Sequence, residues 1–339
     1  MRRATLEDVA RAAGVGPMTV SRTINGHPYV AEETARKVRA AIRELAYRPN
    51  HAARILTGKL SRSIGLVVPD IADSFFSVVS HAVQEVARES GYLVWLAASN
   101  EDALIEAAQV ELMAHHPVDG ILLVPTDSRA AYLTGIAGGA TPLVSIDRSI
   151  EIASADSVEV ENRVGARMAV EHLIEHGRKR IVCVVTNSHL RTIKERIAGY
   201  RECLRHAGLP LAKELHLSSR ASARAALSEI FSSRRTPDAF FTGNNAATIW
   251  VIETLREMGI RMGKDIALVG FDDEAFYTLI TPPVTAVRQP SAELGRVAAR
   301  LLMEKIRGGS STSSLRTVLP VSLIVRGSCG CRNVVQDGS

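Results

Sequence analysis

Three short stretches of this 339-residue chain combine residue types and spacings that could do chemistry. Pro17-Met18-Thr19-Val20-Ser21-Arg22 offers a guanidinium able to pair with O6 and N7 of guanine, and a thioether limited to apolar contact, for example with a thymine methyl. The hydroxyls of Thr19 and Ser21 suit phosphates. His172-Leu173-Ile174-Glu175-His176 fits the His-x-x-Glu-His pattern of zinc peptidases, with both imidazoles on one helical face. Cys329-Gly330-Cys331 could contribute two metal ligands, but no second pair lies nearby in sequence to complete four, and a solvent-exposed tail over 329–339 is the expected setting. No dinucleotide fingerprint, phosphate-binding Walker loop or nucleophile elbow occurs. The expectation is a non-enzyme with no cofactor and no bound metal.

The elements that must hold the first stretch are short helices. Thr5 and Asp8 have capping-box spacing, and Leu6, Val9, Ala10 and Ala13 recur at helical intervals until Gly14. Pro17 suits the first position of a second helix that runs to Ile24 and stops at Asn25-Gly26. Val20 and Ile24, four apart, face inward and leave Pro17, Met18, Ser21 and Arg22 outward. Two helices joined by so tight a turn form a helix-turn-helix, whose second helix can enter a major groove. A third helix over 32–46, with Ala35, Val38, Ile42 and Leu45 inward, closes a three-helix core. Charge agrees: residues 1–62 hold 12 Lys and Arg against 5 Asp and Glu, while the rest hold 29 against 31. Between Asn50 and Gly58 a helix of about two turns is too short to persist unsupported, and Leu56 on it could wedge between base steps.

Thr5-Leu6-x-Asp8-Val9-Ala10-x-x-Ala13-Gly14-Val15, Thr19-Val20-Ser21-Arg22 and Tyr47-x-Pro49-Asn50 with Ala53 and Leu56 resemble the head and hinge of the lac repressor (LacI/GalR) family. The resemblance continues through Ser63-Ile64-Gly65-Leu66-Val67-Val68-Pro69, Asp147-Arg148, Asn162-x-x-Gly165-Ala166, Arg196-x-x-Gly199-Tyr200 and Gly270-Phe271-Asp272-Asp273 to about Gly327. It implies a ligand-responsive repressor whose DNA-facing residues are Thr5, Pro17, Met18, Thr19, Ser21, Arg22, Asn25, Tyr47, Asn50, Ala53, Arg54 and Leu56. Three positions depart from the family's habits. Pro17 cannot donate a hydrogen bond to a base, Ala31 stands where a serine usually caps the third helix, and Asn244-Asn245 replaces the more usual Asn-Asp.

Beyond residue 62, β-type apolar runs such as Ile64 to Val68, Ile121 to Val124, Ile181 to Val185 and Ile266 to Val269 alternate with helical stretches. That alternation predicts parallel sheets covered on both faces. The expected fold is a small all-α helix-turn-helix head plus an α/β body of two doubly wound parallel-sheet subdomains. In the resembling family this body is of the type I periplasmic-binding-protein kind. The expected divisions are a DNA-binding head over 1–48, a hinge over 49–62 and an effector-binding and dimerisation body over 63–328. The family architecture assigns 63–161 and 290–320 to lobe one, and 162–289 and 321–328 to lobe two.

Ligands of open parallel sheets sit beyond the carboxyl ends of strands. The candidates there are Asp70, Ser74, Phe76, Asp147, Arg148, Asn162, Arg196, Asn245 and Asp272. Carboxylates and amides bridge sugar hydroxyls, arginines pair with oxyanions, and a phenyl ring lies against an apolar sugar face. Because Asn245 removes a negative charge from a pocket with two arginines, the expected effector is a sugar or, more specifically, a sugar acid. The whole reads as a cytoplasmic homodimer that binds a roughly palindromic double-stranded operator and has no membrane segment. A solute-binding transport protein would share the body but lack the head and carry an export signal. A zinc hydrolase would depend on His172, Glu175 and His176.

Overall fold

The computed structural model describes residues 4–24, 27, 29–47, 60–116, 118–129, 132–133, 141–152, 155–233, 236–308 and 314–331. They form two compact units, a head over Met1–Ser61 and a body over Arg62–Ser339.

The head is built by local sequence signals. Helix α1 (Leu6–Ala13) starts with the capping box: the Thr5 hydroxyl accepts from the Asp8 amide, and the Asp8 carboxylate accepts from the Thr5 amide at 2.9 Å. Gly14 ends the helix in the left-handed region. Helices α2 (Pro17–Ile24) and α3 (Glu32–Glu44) follow. Val9, Ala10, Val20, Val38 and Ala41 make the core, and Leu6, Ile24, Ile42, Leu45 and Tyr47 pack around it. The third helix ends two residues earlier than its periodicity predicts, and its innermost residues are Ala35, Val38 and Ala41. Ile42 and Leu45 are half-buried at its flank. Ala31, at the N-cap of α3, makes no side-chain capping bond.

The body's lobe one contains strands β1 (Ser63–Val68), β2 (Leu93–Ala98), β3 (Ile121–Leu123), β4 (Leu143–Ile146) and β5 (Asp156–Val160). Helix α4 (Ser74–Glu89) joins β1 to β2, and α5 (Ala103–His115) joins β2 to β3. Lobe two comprises α6 (Asn162–Glu175), β6 (Ile181–Val185), α7 (Arg191–His206), β7 (Leu215–His216), α8 (Arg220–Ser232), β8 (Ala239–Thr242), α9 (Asn245–Glu257), β9 (Ala267–Phe271) and β10 (Thr285–Arg288). The chain then returns to lobe one for α10 (Ser291–Ile306) and β11 (Arg316–Leu319), and crosses again to β12 (Ser322–Ile324). Sheet order is β2-β1-β3-β4-β5-β11 in one lobe, all parallel, and β7-β6-β8-β9-β10-β12 in the other, where only β12 runs antiparallel.

Helices cover both faces of each sheet, as strands buried on two sides require. In lobe one Val79, Val83, Leu294 and Leu302 of α4 and α10 pack on Ile64 and Leu66, and Val110 and Met113 of α5 pack on the opposite face. In lobe two α6 and α7 supply Val170, Leu173 and Ile197 to one face, and α8 and α9 supply Leu227, Val251 and Leu255 to the other. The edge strand β2 departs from the continuous burial of its neighbours, since Leu93, Trp95 and Leu96 are exposed. No helix among the described residues is long and apolar enough to cross a membrane.

Candidate functional site

Within the body, the carboxyl ends of the strands in both sheets converge on a cleft of about 350 Å³. β1 delivers Asp70 and β2 delivers Asn100 and Glu101. β4 delivers Asp147 and Arg148, β6 delivers Thr186 and Asn187, and β9 delivers Asp272. Gln289 enters from the β10-to-α10 crossing, and Arg196 from the first turns of α7. Asn100, Glu101, Asp147, Asn187 and Asp272 all hold positive φ angles. Non-glycine backbone of this kind costs free energy and persists where packing enforces it, characteristically at binding sites.

Both arginines are held by the protein itself. Arg148 forms a bidentate pair with Glu101 at 2.7 and 2.8 Å and donates to the Pro125 carbonyl at 3.2 Å. Arg196, buried with its guanidinium 3.7 Å from the centre of the Phe271 ring, donates to Asn162 Oδ1 and to the Gly243 carbonyl, each at 2.8 Å. Against these two cations the lining sets Asp70, Asp73, Glu101, Asp147 and Asp272. Five carboxylates thus face two guanidiniums that the protein already engages, Glu101 pairing with Arg148 and Asp272 lying 3.6 Å from Arg196.

Asn245 lines the cleft and also reaches across it. Its amide donates to Asp73 of lobe one at 3.1 Å and to Glu274 of lobe two at 3.2 Å, while the Ser74 hydroxyl donates across to Glu274 at 2.6 Å. An aspartate at 245 would place a third carboxylate beside two others, so the amide acts as a neutral bridge between lobes. Arg191 of α7 donates to the Ser149 hydroxyl as a further crossing.

Among the described residues, Asp147 Oδ1, Arg148 Nε and Gln289 Oε1 of the cleft lining are buried without a hydrogen-bond partner, Arg148 Nε lying 3.5 Å from Asp147 Oδ2 in an ion pair. Burial pushes the Asp147 carboxyl up to about 6, although the Arg148 and Arg196 charges pull the other way.

Of the nine expected effector residues, Asp70, Phe76, Asp147, Arg148, Arg196, Asn245 and Asp272 line the cleft. Ser74 instead bonds to Glu274, and Asn162 sits buried at the start of α6 as the acceptor for Arg196. The sequence reading missed Asp73, Glu101, Asn187 and Gln289. Asp73 was legible as the N-cap of α4, where it accepts from the Phe75 amide at 2.9 Å. Glu101 and Gln289 carry no local signal, because only the lobe crossing and the end of β2 bring them in.

In the head, Pro17, Met18 and Arg22 are exposed on α2, while Thr19 and Ser21 are half-buried. The Thr5 hydroxyl is engaged with Asp8, donating to its carboxylate at 2.8 Å. Tyr47 is half-buried against the head core. The expectations for Asn25, Asn50, Ala53, Arg54 and Leu56 fall outside the described residues.

Far from the cleft, the structure overturns two readings of the C-terminal cysteines. Cys329 is fully buried rather than part of an exposed tail, and Cys331 Sγ lies 3.2 Å from His172 Nε2. The second pair of ligand-type residues is thus present, some 155 residues upstream, at the end of α6.

Comparison with known proteins accords with both units. Residues 5–50 match the model for bacterial regulatory proteins of the lacI family, and residues 170–329 match a periplasmic binding protein-like domain. The chain is 32% identical to the ribose operon repressor of Halalkalibacterium halodurans, an alignment covering 95% of this chain and 96% of that one. Among solved structures, a lac repressor dimer bound to operator and the anti-inducer ONPF superposes with a TM-score of 0.85 at 26% identity, covering 97% of this chain and 99% of that one. A complex of the transcriptional regulator CelR with cellobiose shares 32% identity with a TM-score of 0.71, covering 96% of this chain and all of that one. With a capped helix-turn-helix head, a two-lobed parallel-sheet body and a full-length relative at this identity, the chain belongs to the lacI family of bacterial transcriptional regulators.

Proposed function

We propose that this chain is a homodimeric repressor that reads a roughly palindromic operator through α2 and responds to a neutral, polyhydroxylated effector bound between the lobes. The observation that carries the effector class is the acidic lining of the cleft, five carboxylates against two guanidiniums that the protein itself already holds. Similar proteins bear names or ligands that include ribose and cellobiose, both neutral sugars. Phe75 and Phe76 line the same cleft and add apolar surface to it.

Dimerisation is supported by an apolar patch on lobe one. Leu93 is 71% exposed, Leu104 82% and Leu112 53%. The Trp95 ring lies 5.6 Å from that of His116, just past α5, and so ties this edge strand to the helix. α5 is apolar on both faces, which a helix covered on one side by its own sheet does not need unless a second surface covers the other. Two heads on a two-fold dimer fit two half-sites about one helical turn apart. A regulator of DNA of this kind acts in the cytoplasm.

The test is thermal unfolding of the purified protein across neutral sugars and the corresponding aldonic and uronic acids. A neutral ligand at about 100 times its Kd raises stability by about 2.7 kcal/mol, a readable shift in the midpoint. Affinity should weaken as pH falls through about 6, because protonation removes the Asp147 carboxylate that accepts from the ligand hydroxyl. Stabilisation confined to the acids would overturn the neutral-effector reading and leave the repressor reading standing.

A further inference from the structure

The histidines at the end of α6 and the last cysteines of the described chain form a second site at the end of lobe two remote from the cleft. Asn162 begins α6 beneath the cleft, and His172 lies ten residues further along the helix, about 15 Å away at 1.5 Å per residue. His172 is buried on the inner side of α6, and His176 caps the helix. The ligand-type atoms of His172, His176 and Cys331 all lie within 4.8 Å of one another. Cys329 Sγ is 2.9 Å from Cys331 Sγ, closer than the van der Waals separation of two sulfurs.

The surroundings prepare these groups as ligands. His176 Nδ1 lies 2.7 Å from the His172 carbonyl, which can only accept, so Nδ1 carries the proton and Nε2 keeps its lone pair. The cysteine segment is anchored from below. The Ser328 hydroxyl donates to the Leu268 carbonyl at 2.7 Å and accepts from the Thr285 amide at 2.8 Å, and Gly327 N donates to the Pro283 carbonyl at 3.0 Å. Between the cysteines, Gly330 has φ +77°, and a Cβ there would meet the Gly263 carbonyl at 2.6 Å. Only glycine makes this turn, and the turn brings both sulfurs to the same side as His172. The Arg178 side chain packs against Gly330, and its Nε is buried without a hydrogen-bond partner. A guanidinium so placed favours thiolates.

We propose that His172, His176, Cys329 and Cys331 bind a thiophilic divalent cation, zinc by preference, tying the end of α6 to the segment that follows β12. Metal–sulfur bonds of about 2.3 Å and metal–nitrogen bonds of about 2.0 Å give tetrahedral ligand–ligand separations of roughly 3.3–3.8 Å. His172, His176 and Cys331 already cluster within 4.8 Å, and Cys329, which touches Cys331 but lies outside that cluster, must turn towards the histidines to complete the set. Two thiolates, two neutral imidazoles and a dication sum to zero charge, so Cys329 can stay buried. Four protein ligands close the coordination sphere and leave no position for a reactive water, which separates the site from the hydrolytic use of the His-x-x-Glu-His spacing. The site is structural: bound metal staples the last strand of lobe two after the chain's third lobe crossing. This inference stands apart from the effector reading.

The experiment titrates the full-length, untagged protein, stripped by chelator and fully reduced, with cobalt(II) and then zinc. The expected result is one equivalent per chain, with thiolate-to-cobalt charge transfer and tetrahedral ligand-field bands, displaced by zinc, and a higher thermal midpoint with metal than with chelator. Cys331→Ser and His176→Gln, at the two more accessible positions, should retain the far-UV spectrum and weaken cobalt binding by more than about 100-fold, beyond the typical effect of losing an outer-shell partner. Should either variant fail to fold, X-ray absorption at the zinc edge of the wild type decides, two sulfur and two nitrogen neighbours being required. Absence of the charge-transfer band in reduced protein overturns the proposal. So does binding unchanged by both substitutions, and so does a Cys329–Cys331 disulfide whose reduction yields no metal uptake.

Discussion

Head and body expose their working residues in opposite ways. In the head, function falls to what packing leaves over: Val20 takes the inward face of α2 and fills the core, so Met18 stays 68% exposed and Arg22 projects outward. In the body, the working residues are ones packing has already engaged. Arg148 and Arg196 are buried, each held by side chains or carbonyls far off in sequence. A recognition helix needs free donors to meet a groove, whereas a cleft that discriminates small molecules needs fixed ones.

The largest test of this contrast breaks the body's most engaged cation. Arg148→Ala leaves Asp147 and Glu101 without their partner, and severing one side of a buried pair costs roughly 3–5 kcal/mol. Both tryptophans, Trp95 and Trp250, lie in the body, so urea unfolding followed by their fluorescence reads that unit alone. A loss below about 1 kcal/mol would be the figure for an exposed pair and would erase the distinction between the units.

The matching test in the head is Arg22→Ala. A bidentate guanidinium–guanine contact discriminates by about 1–3 kcal/mol, so specific operator affinity should fall about 5- to 150-fold while binding to random DNA changes little. Tryptophan-detected unfolding of the body should not move. Equal losses on both DNAs would reduce Arg22 to a phosphate contact.

Asn245→Asp tests the bridge between lobes. The substitution removes an amide donor to two carboxylates and adds a third charge, for a penalty of about 1–2 kcal/mol in effector binding at pH 7.5. Burial already holds the Asp73 carboxyl above its usual range. A carboxyl whose folded pKa is raised is relieved as pH falls towards that pKa, so the wild-type to variant ratio should narrow at pH 5.5. A ratio flat with pH would mean that the three carboxyls do not interact.

These contrasts also explain what could be read from the sequence. Head elements depend on neighbours a few residues apart, as with Thr5 and Asp8 or Val20 and Ile24, and periodicity located them to within two residues. Strands announced themselves by apolar runs, and residues immediately beyond them, such as Asp70, Asp147 and Asp272, were legible as cleft residues. What could not be read was pairing across the lobes. Ser74 with Glu274 is separated by 200 positions and Asn245 with Asp73 by 172, and no local pattern records that a carboxylate waits on the other side. The same blindness hid the bridging contacts of Asn245, and hid the histidines from the cysteines.

The smallest effect probes the one place where the head's local logic is incomplete. Ala31 holds the N-cap of α3 with φ −57° and ψ 137°, backbone that a serine adopts readily, yet it offers no oxygen to the first amides of the helix. Glu32 and Glu33 in the first turn already complement the helix dipole, so part of the cap's contribution is present by other means. Ala31→Ser should therefore add about 0.5–1 kcal/mol, the low end of the capping range. In hydrogen exchange this is a two- to fivefold rise in protection of the α3 amides, with the body's amides unchanged. If protection of α3 stays level, water already satisfies those amides and the head gains nothing from a cap. If body amides change as well, the two units are coupled, and the contrast between a head built from local signals and a body built from distant ones no longer separates them energetically.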